Sequence, residues 1–495
     1  MPGLSKSRLL AHRQCPKRLW LQIYKPKLLS VTDPTTQARF NTGNRIGEIA
    51  RSLYPDGVLI EGNNIQQALR DTSEILLTSP TRPIFEATFE HGGLLIRADL
   101  LLPEADGYRL VEVKSSASVK NYHLIDAAIQ SWVVQKNGLT VIDTAIVHID
   151  TRFVYSGNGD YRGLLKEVSI TTKLAPLLDE VPDWVAAAQT TLSGDEPIIP
   201  PGPQCQIPFT CPFFGHCNSA TMENKVQIAY PPEDLPHHNG LAAQLRTEGY
   251  DDLRQVPKER LTKHLHQRVH TSVLSGVTFL DPIARSQLVD LDYPRFYLDF
   301  ETNAPAVPIW AGTRPFVTQV PFQWSCHIED ANGQLDHQAF LAEGAGDPRR
   351  AFIDNLLPIL GKVGAIFVYS ADFERSRLRE MAALFPELAV SVNDVIVRIV
   401  DLLPIARAHY YHPDQHGSWS IKSILPTIAP ELAYDDLMVA DGRMAQGAFQ
   451  EIIDPKTTDE RRKTLRQGLL DYCERDTLAM IKIAWFFQQV NLPLK

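Results

Sequence analysis

The stretch LLIRADLLLPEADGYRLVEVKSS, residues 94–116, has the pattern of two apolar strands joined by a turn. The turn signal Glu-Ala-Asp-Gly separates the strands, so the stretch predicts a β-hairpin. Side chains alternate along a strand, which places Glu112 and Lys114 on one face and Val113 on the other. The hairpin brings Asp99 of the first strand beside Glu112 of the second. We therefore predict two carboxylates and a lysine at one point of a sheet.

This group of side chains has the chemistry of a metal site that cleaves phosphodiesters. Two neighbouring carboxylates offer the hard oxygen ligands that Mg²⁺ or Mn²⁺ prefers. A lysine ammonium can orient a water or stabilise the charge that develops on a phosphate. The alternative is an ordinary hairpin with a polar face, because an isolated E-x-K motif carries little information. The apolar residues around Asp99 and Glu112 favour the metal site, since carboxylates in buried strands need partners.

The sequence on either side of the hairpin predicts a mixed α/β core. Ser5 is suited to cap a helix that runs to about Gln22. Residues 174–204 are rich in proline and loop signals, residues 221–290 are mostly helical, and a second α/β pattern begins at 295. The remaining predicted elements before residue 151 are helices over 40–54, 63–78 and 123–138 and strands over 57–62, 83–91 and 141–150.

Half of the six cysteines lie in CQIPFTCPFFGHC, residues 205–217, as Cys205, Cys211 and Cys217. Cys15, near the N-terminus, is the candidate fourth ligand. Four thiolates bind Zn²⁺ or an iron–sulfur cluster. Structural zinc sites usually contain a close C-x₂₋₄-C pair, whereas both gaps here are five residues, which favours the larger cluster. The alternative is a set of reduced cysteines in the core.

A second set of acidic residues lies in the last two hundred or so positions. Asp299 and Glu301 are two apart in the strand-like RFYLDFET and share a face. Glu374 lies where a strand pattern gives way to a helical one, in AIFVYSADFERSRL. Tyr472 and Asp476 share a helix face in LLDYCERDTLAM, because they are four apart. Such residues can converge on two metal ions about 4 Å apart, the arrangement used for in-line phosphoryl transfer.

The charge distribution gives a mixed signal about nucleic acid. The net charge of −9 over 495 residues argues against a nonspecific nucleic-acid binder. The first 32 residues, however, contain seven Lys or Arg and no Asp or Glu. A solvated helix face is the simpler interpretation of this basic segment. Its position beside Cys15 keeps a phosphate-binding role open.

No apolar run approaches the roughly 18 residues that span a bilayer. The N-terminal sequence also lacks the apolar centre of a signal peptide. We therefore expect a cytoplasmic location and no membrane partner. In that reducing compartment, clustered cysteines are more often metal ligands or catalysts than disulfides.

With these motifs, the hairpin resembles the RecB-like branch of the PD-(D/E)xK nucleases. The resemblance implies a restriction-endonuclease-like domain that cleaves DNA, with Asp99, Glu112 and Lys114 as catalytic residues. It also implies a glutamate on an early helix, matched by Glu48 in TGNRIGEIA. A glutamine on the helix after the E-x-K strand is matched by Gln130 in DAAIQSWVV. Glu48, Asp99 and Glu112 would bind Mg²⁺ or Mn²⁺.

The cysteine order is similar to that of RecB-like nucleases that carry an iron–sulfur cluster. Those proteins place one cysteine before the nuclease core and three after it. Cys15, Cys205, Cys211 and Cys217 reproduce this division. The resemblance implies a 4Fe–4S cluster that joins the N-terminal helix to the end of the domain.

The C-terminal motifs resemble the DEDDy exonucleases of the RNase H-like fold. Asp299 and Glu301 match the D-x-E motif, and Tyr472 with Asp476 matches Y-x-x-x-D. The resemblance implies metal ligands at Asp299, Glu301, Glu374 and Asp476, with Tyr472 orienting the attacking water. It also implies removal of nucleotides from a 3′ end.

The whole layout is similar to uncharacterised bacterial proteins in which a RecB-like nuclease is fused to an RNase H-like domain. We therefore expect a nuclease domain over 1–220, a helical linker over 221–290 and an exonuclease-type domain over 291–495. A plain linker is the simpler interpretation of 221–290, and a contact of its basic and histidine residues with the DNA backbone is the alternative. The implied function is a metal-dependent nuclease acting on DNA, with RNA as the alternative substrate, in repair, recombination or phage defence. The alternative is a nucleic-acid-binding iron–sulfur scaffold in which one or both nuclease sites are degenerate. Gly47, Val134 and Glu374, which depart from the family patterns, favour that alternative.

Overall fold

The computed structural model describes residues 3–29, 34–62, 64–222 and 228–489. The chain forms two compact units, each of which contains segments from two parts of the sequence. Unit 1 comprises 1–225 and 305–317, and unit 2 comprises 226–304 and 318–495. Most of the segment expected to be a linker therefore belongs to unit 2. Both units are mixed α/β, as the sequence predicts.

Unit 1 is built on a sheet of seven strands within the described residues. Its strands are β1 Leu4–Ser5, β2 Val58–Leu59, β3 Ile84–His91, β4 Leu94–Glu104, β5 Gly107–Lys114, β6 Val141–Ile149 and β7 Leu165–Ser169. Its helices are α1 Lys6–Gln14, α2 Pro16–Tyr24, α3 Pro34–Ser52, α4 Ile65–Thr78, α5 Asn121–Lys136, α6 Thr171–Leu178, α7 Val181–Ser193 and α8 Phe214–Met222.

The predicted hairpin lies at the centre of this sheet. The strand order is β2-β3-β4-β5-β6-β7, with β1 pairing with β4. Strands β4 and β5 are antiparallel, whereas β5 and β6 are parallel and are connected through α5. Helix α5 buries Ala127, Ala128, Ile129, Val133 and Val134 in the core of unit 1. This packing turns the polar face of α5 toward the end of β5.

Unit 2 contains the remaining described elements. Its helices are α9 Leu241–Thr247, α10 His264–Ser275, α11 Ile283–Ser286, α12 Arg349–Leu360, α13 Asp372–Leu384, α14 Ala389–Ile396, α15 Leu402–His409, α16 Ile421–Ile428, α17 Gly442–Ile453 and α18 Asp459–Gln488. Its strands are β8 Phe279–Leu280, β9 Arg295–Asn303, β10 Val320–Glu329, β11 Leu335–Leu341, β12 Ile366–Val368, β13 Ile399–Asp401 and β14 Tyr410–Tyr411.

The main sheet of unit 2 has the order β11-β10-β9-β12-β13. Strands β9, β10 and β11 form an antiparallel meander, and β12 lies parallel to both β9 and β13. The long helix α18 packs against β9 and β10. Residues Ala479, Met480, Ile481, Ile483 and Ala484 of α18 are buried. The sheet and α18 together fix the side chains described below.

Two local predictions are wrong. The helix expected from Ser5 to about Gln22 ends at Gln14, because Cys15 has an extended backbone with φ −163° and ψ 121°. A second helix begins at Pro16, since the fixed φ of proline suits the first helical position. The loop expected over 174–204 is helical as far as Ser193. Helix α7 accommodates its proline in the first turn, where no backbone donor is lost.

Among the described residues, no helix combines the length and the apolar character that crossing a membrane requires.

Candidate functional site

The predicted carboxylate pair of unit 1 lies in a network of charges around Glu112. Only 3% of Glu112 is exposed. Its Oε1 accepts hydrogen bonds from Lys114 Nζ at 2.6 Å and from Lys6 Nζ at 3.1 Å. Burial acts to raise the pKa of Glu112, but the ammonium groups of Lys114 and Lys6 outweigh it and hold that pKa well below its usual range. Glu112 is therefore an anion at neutral pH.

Helix α5 adds two polar side chains to the network. Gln130 is buried, and its Nε2 donates to Glu112 Oε2 and, at 3.2 Å, to Asp126 Oδ1. Asp126 also pairs with Lys114 and, at 3.1 Å, with Lys6. Asp126 was not predicted. Its signal in the sequence is its position four residues before Gln130, on the same helix face.

Asp99 completes the predicted hairpin group. Its Oδ2 accepts a hydrogen bond from the backbone N–H of Val113 at 2.7 Å. Burial, together with the nearby charge of Glu112, raises the pKa of Asp99 to about 8. The two hairpin carboxylates therefore have opposite tendencies: Glu112 is ionised at neutral pH, and Asp99 retains a proton unless a cation compensates it. A divalent cation at this site would have to replace the proton of Asp99 and compete with the two ammonium groups that contact Glu112.

Glu86 of β3 has a strained backbone beside Asp99. Its φ of 56° is in the left-handed region, which is uncommon for a side chain of this size in a strand. The ladder between β3 and β4 pairs Phe85 with Leu100 and Ala87 with Ala98, and so it skips the Glu86–Asp99 step. Burial raises the pKa of Glu86. Strain of this kind persists where the surrounding structure holds it and is common at functional sites.

Glu48 and Lys6 of unit 1 do not lie where the sequence predicted them. Glu48, on α3, has an exposed side chain and pairs with Arg45 at 3.0 Å. The structure does not bring Glu48 into the network around Glu112. Lys6, which the sequence assigned to a basic surface segment, instead belongs to that network, with 19% of its side chain exposed.

The four candidate cysteine ligands line one pocket of unit 1. Cys15 lies between α1 and α2, and the other three lie in 205–217. Gln14 connects the two segments, because its Nε2 donates to the carbonyl oxygens of Gln204 at 2.8 Å and Phe209 at 2.6 Å. Burial raises the pKa of Cys211, and neighbouring Arg18 acts against that rise. The four cysteines that were predicted to bind one metal centre therefore line the same pocket.

The spacing of these thiols distinguishes two kinds of metal centre. A zinc ion with Zn–S bonds of about 2.3 Å holds tetrahedral sulfur atoms about 3.8 Å apart. In the described part of the chain, no three cysteine sulfur atoms lie within 4.8 Å of one another. An iron–sulfur cluster separates its thiolates further, because each binds a different iron. As placed in the structure, the described thiols are therefore further apart than a tetrahedral zinc set requires.

In unit 2, the structure brings three predicted acids together. Ligand oxygens of Asp299, Glu301 and Asp476 all lie within 4.8 Å of one another. Burial, followed by the charges of Asp476 and Glu301, raises the pKa of Asp299 well above its usual value. Burial also raises the pKa of Glu301 to about 8 and that of Asp476 to about 6. Mutual repulsion and lost hydration both favour protons or cations in this group.

Of the two acids in Asp372-Phe373-Glu374, Glu374 is the one that lies near the Asp299 group. Glu374 is 3% exposed, whereas Asp372 is exposed. Its Oε2 is buried and has no hydrogen-bond partner among the described residues. Burial raises the pKa of Glu374 to about 8, and its charge contributes to the raised pKa of Asp299. Of the two acids in this stretch, the structure therefore favours Glu374 by position.

Asp401, an acid whose charge lies near Glu374, has a structural role. Its carboxylate accepts hydrogen bonds from the backbone N–H groups of Ser370 at 3.0 Å, Ala371 at 2.9 Å and Leu403 at 3.0 Å. It caps α15 and holds the turn that precedes α13. Asp401 therefore fixes the start of the helix that carries Glu374.

Three further side chains surround Asp476. Tyr434 donates a hydrogen bond to Asp476 Oδ1. Lys422 Nζ donates to the hydroxyl of Tyr472 at 3.3 Å and lies 4.9 Å from the centre of its ring. Burial, followed by the charge of Asp476, raises the pKa of Tyr472 above its usual value, so its hydroxyl is protonated. Tyr434 and Lys422 were not predicted as site residues.

These pKa shifts predict that the metal-free protein loses stability as the pH rises. The pKa of Glu301 and of Glu374 is about 8, against 4.5 for the unfolded chain. The stability that these two protonated groups contribute is fully present below pH 4.5, the pKa in the unfolded chain. It is lost as the pH rises through the folded pKa, and the free energy of unfolding falls by up to about 1.4 kcal/mol per pH unit for each group. Melting temperatures measured with a chelator should decline less steeply for Glu301→Gln than for the unsubstituted protein. Glu431→Gln, at an exposed carboxylate, is the control, and parallel declines in all three proteins would contradict the assignment.

Comparison with known proteins finds one family model and two curated relatives of unassigned function. The model, a domain of unknown function named DUF2779, matches residues 296–420. An uncharacterized protein of Ureaplasma parvum serovar 3 is 24% identical over 297 residues, which cover 55% of this chain and 43% of that protein. One from Mycoplasma genitalium is 25% identical over 217 residues, covering 40% of this chain and 32% of that protein. No solved structure matches the chain.

These matches cover only part of this chain and part of each relative. The chain spans less than half the length of both curated relatives. The family model includes Asp299, Glu301 and Glu374 but ends before Tyr472 and Asp476. The site described for unit 2 therefore extends beyond the segment that the family model matches.

Proposed function

We propose that the chain is a metal-dependent nuclease that hydrolyses phosphodiester bonds of DNA, with RNA as the alternative substrate. The observation that carries the proposal is the convergence of Asp299, Glu301 and Asp476 within 4.8 Å in the interior of unit 2. Buried carboxylates that face one another destabilise a fold, because they lose hydration and repel each other. Divalent cations compensate both effects, and a pair of such cations can catalyse phosphodiester hydrolysis.

The residues of unit 2 fit hard divalent cations. The donors are carboxylate oxygens, which Mg²⁺ and Mn²⁺ prefer. Glu374 adds a buried oxygen without a hydrogen-bond partner in the described chain, as expected of an unused ligand. When bound, a pair of such cations polarises the phosphate and lowers the pKa of the attacking water. Asp299, Glu301, Glu374 and Asp476 are the proposed ligands, in an RNase H-like domain.

Unit 2 also supplies groups that position the reactants. Hydrolysis forms a bond between the water oxygen and phosphorus and breaks the bond to the leaving sugar oxygen. The hydroxyl of Tyr472 orients the water, and Lys422 fixes that hydroxyl by donating to it at 3.3 Å. Tyr434 holds the Asp476 carboxylate through a hydrogen bond. By family resemblance, the substrate enters with its 3′ end.

Unit 1 is proposed to be a second centre, of restriction-endonuclease-like type. Glu112 and Asp99 are its proposed ligands, and Glu48 remains a ligand candidate that would have to approach from its exposed position on α3. Lys114 stabilises the charge that develops on the phosphate, and Gln130 orients Glu112. Binding of a cation would displace Lys6 or Lys114 from the Glu112 carboxylate that both now contact.

The cysteine pocket completes the proposal. Cys15, Cys205, Cys211 and Cys217 hold a 4Fe–4S cluster that connects the N-terminal helices to the C-terminal part of unit 1. Its role is structural, and it positions the basic first helices toward DNA. A cytoplasmic setting, with a role in repair, recombination or phage defence, belongs to the same proposal.

The direct test for unit 1 is Lys114→Ala in a degradation assay with Mn²⁺. We expect endonucleolytic cleavage of duplex DNA to fall by about 10²–10³-fold, as when one charge-stabilising group is removed from an active site. Lys166→Ala, at an exposed lysine of β7, is the matched control and should cleave normally. Equal cleavage by the Lys114 and Lys166 variants would remove Lys114 from the mechanism.

A nucleic-acid-binding scaffold is the second candidate, and one observation favours it for unit 1. Lys6 and Lys114 both contact Glu112 and Asp126, so this network is charge-compensated without a metal. If unit 1 only binds DNA, the Lys114→Ala variant will lose affinity for DNA while no cleavage is seen in either protein. Gel-shift and cleavage assays on the same samples separate the two functions.

A further inference from the structure

A second group of metal-ligand side chains lies in unit 2, apart from the carboxylates. The ligand atoms of His327, His337 and Glu474 come within 4.8 Å of one another. His327 and His337 are directly opposite each other on β10 and β11, and their ring centres are 4.5 Å apart. Glu474 comes from α18, which covers this face of the sheet, and its Oε1 lies 3.8 Å from His337 Nδ1.

Hydroxyl groups fix both imidazole rings from behind. His327 Nδ1 contacts Thr477 Oγ1 at 2.8 Å, and His337 Nε2 contacts Ser325 Oγ at 2.8 Å. The two hydroxyls also share a hydrogen bond at 3.0 Å. Each ring therefore uses one nitrogen for an outer hydrogen bond, and the other nitrogen of His337, Nδ1, faces Glu474. Metal-binding histidines are held in this way, because the outer hydrogen bond sets the tautomer and the orientation of the ring.

We propose that His327, His337 and Glu474 bind one divalent transition-metal ion, with Zn²⁺ as the best match. Two imidazoles and one carboxylate form a donor set that zinc accepts in three-ligand sites, with a fourth position for water. Imidazole nitrogens favour zinc over Mg²⁺, which selects oxygen ligands. The ion is distinct from the cations proposed for Asp299 and Glu301, and the inference does not depend on nuclease activity.

The site would connect the edge of the sheet to α18. Glu474 precedes Asp476 by two residues, and Ser325 pairs with Asp299 in the β9–β10 ladder. A metal that joins β10, β11 and α18 therefore fixes the helix that carries one of the proposed nuclease ligands. We expect metal at this site to raise the melting temperature of the protein.

The test is a Co²⁺ titration of the full-length protein, with excess Mg²⁺ present to occupy the carboxylate site. Co²⁺ replaces Zn²⁺ and reports nitrogen and oxygen ligation through its visible absorption. We expect the unsubstituted protein to bind one Co²⁺ ion. The affinity for that ion should fall at least about 100-fold in His337→Gln and in Glu474→Gln. Loss of an outer hydrogen bond alone would lower the affinity by only roughly 10–100-fold. Glu431→Gln is the control and should bind normally.

Two results would overturn the proposal. Equal binding by the unsubstituted protein and both variants would show that these side chains are not ligands. Loss of the ion in Asp299→Asn, with retention in His337→Gln, would place it at the carboxylate group instead. The Glu474 side chain is 48% exposed, so Glu474→Gln leaves the core intact and decides the question if the histidine variant folds poorly.

Discussion

Asp299→Asn is expected to reduce Mn²⁺-dependent degradation of a 3′-labelled single strand by at least about 10²–10³-fold, the range seen when one charge-stabilising group is lost. The same substitution is expected to raise the melting temperature of the metal-free protein. Asp299 is buried beside Glu301 and Asp476, and its pKa is raised by burial and by those charges. Replacing it with a neutral amide removes repulsion within the group.

The combination of lower activity and higher stability distinguishes a functional site from a structural one. Asp372→Asn is the matched control, because Asp372 is exposed and only two residues from Glu374. That variant should keep both the activity and the melting temperature. If Asp299→Asn lowers stability and leaves degradation unchanged, the acidic group serves the fold and the proposed catalytic role is wrong.

Cys15→Ala is expected to abolish the iron content and to lower the melting temperature of unit 1 by about 10–20 °C. A cluster that joins Cys15 to Cys205 closes a loop of about 190 residues, and a cross-link of that span is worth about 5 kcal/mol on loop-closure arguments. The measurements are iron analysis, visible absorption and thermal unfolding of anaerobically purified protein.

Cys326→Ala separates cluster loss from loss of packing. Cys326 is fully buried in the core of unit 2 and does not line the cysteine pocket. This variant should lose some stability, because it leaves a cavity, but it should keep its iron. Colourless unsubstituted protein whose zinc is lost in Cys15→Ala and retained in His337→Gln would contradict the cluster and leave a zinc site in the cysteine pocket.

Strand patterns allowed the central part of both sites to be predicted. Asp99, Glu112 and Lys114 meet because a hairpin with alternating side chains has few possible registers. Asp299 and Glu301 share a face for the same reason. Helical residues were harder to predict. Lys6 and Asp126 reach the site through the rotation of α1 and α5, which tertiary packing determines.

Local backbone features account for other differences. Pro16 marks the start of α2, and its preference for the first helical position was the available signal for the break at Cys15. In α7, the buried residues Val181, Trp184, Val185 and Ala188 have helical spacing, but the nearby prolines suggested a loop. The left-handed backbone of Glu86 has no signal in the sequence, because it depends on the packing around Asp99.

The central claim is that divalent cations held by acids from distant segments cleave a phosphodiester chain. Its most direct test compares the unsubstituted protein with Asp99→Asn, Asp299→Asn and the double variant, on labelled single-stranded DNA, duplex DNA and RNA with Mn²⁺. The account predicts that the unsubstituted protein degrades nucleic acid, that each single variant loses one mode of cleavage, and that the double variant is inactive. Equal activity in all four proteins, or none in any of them, would contradict it.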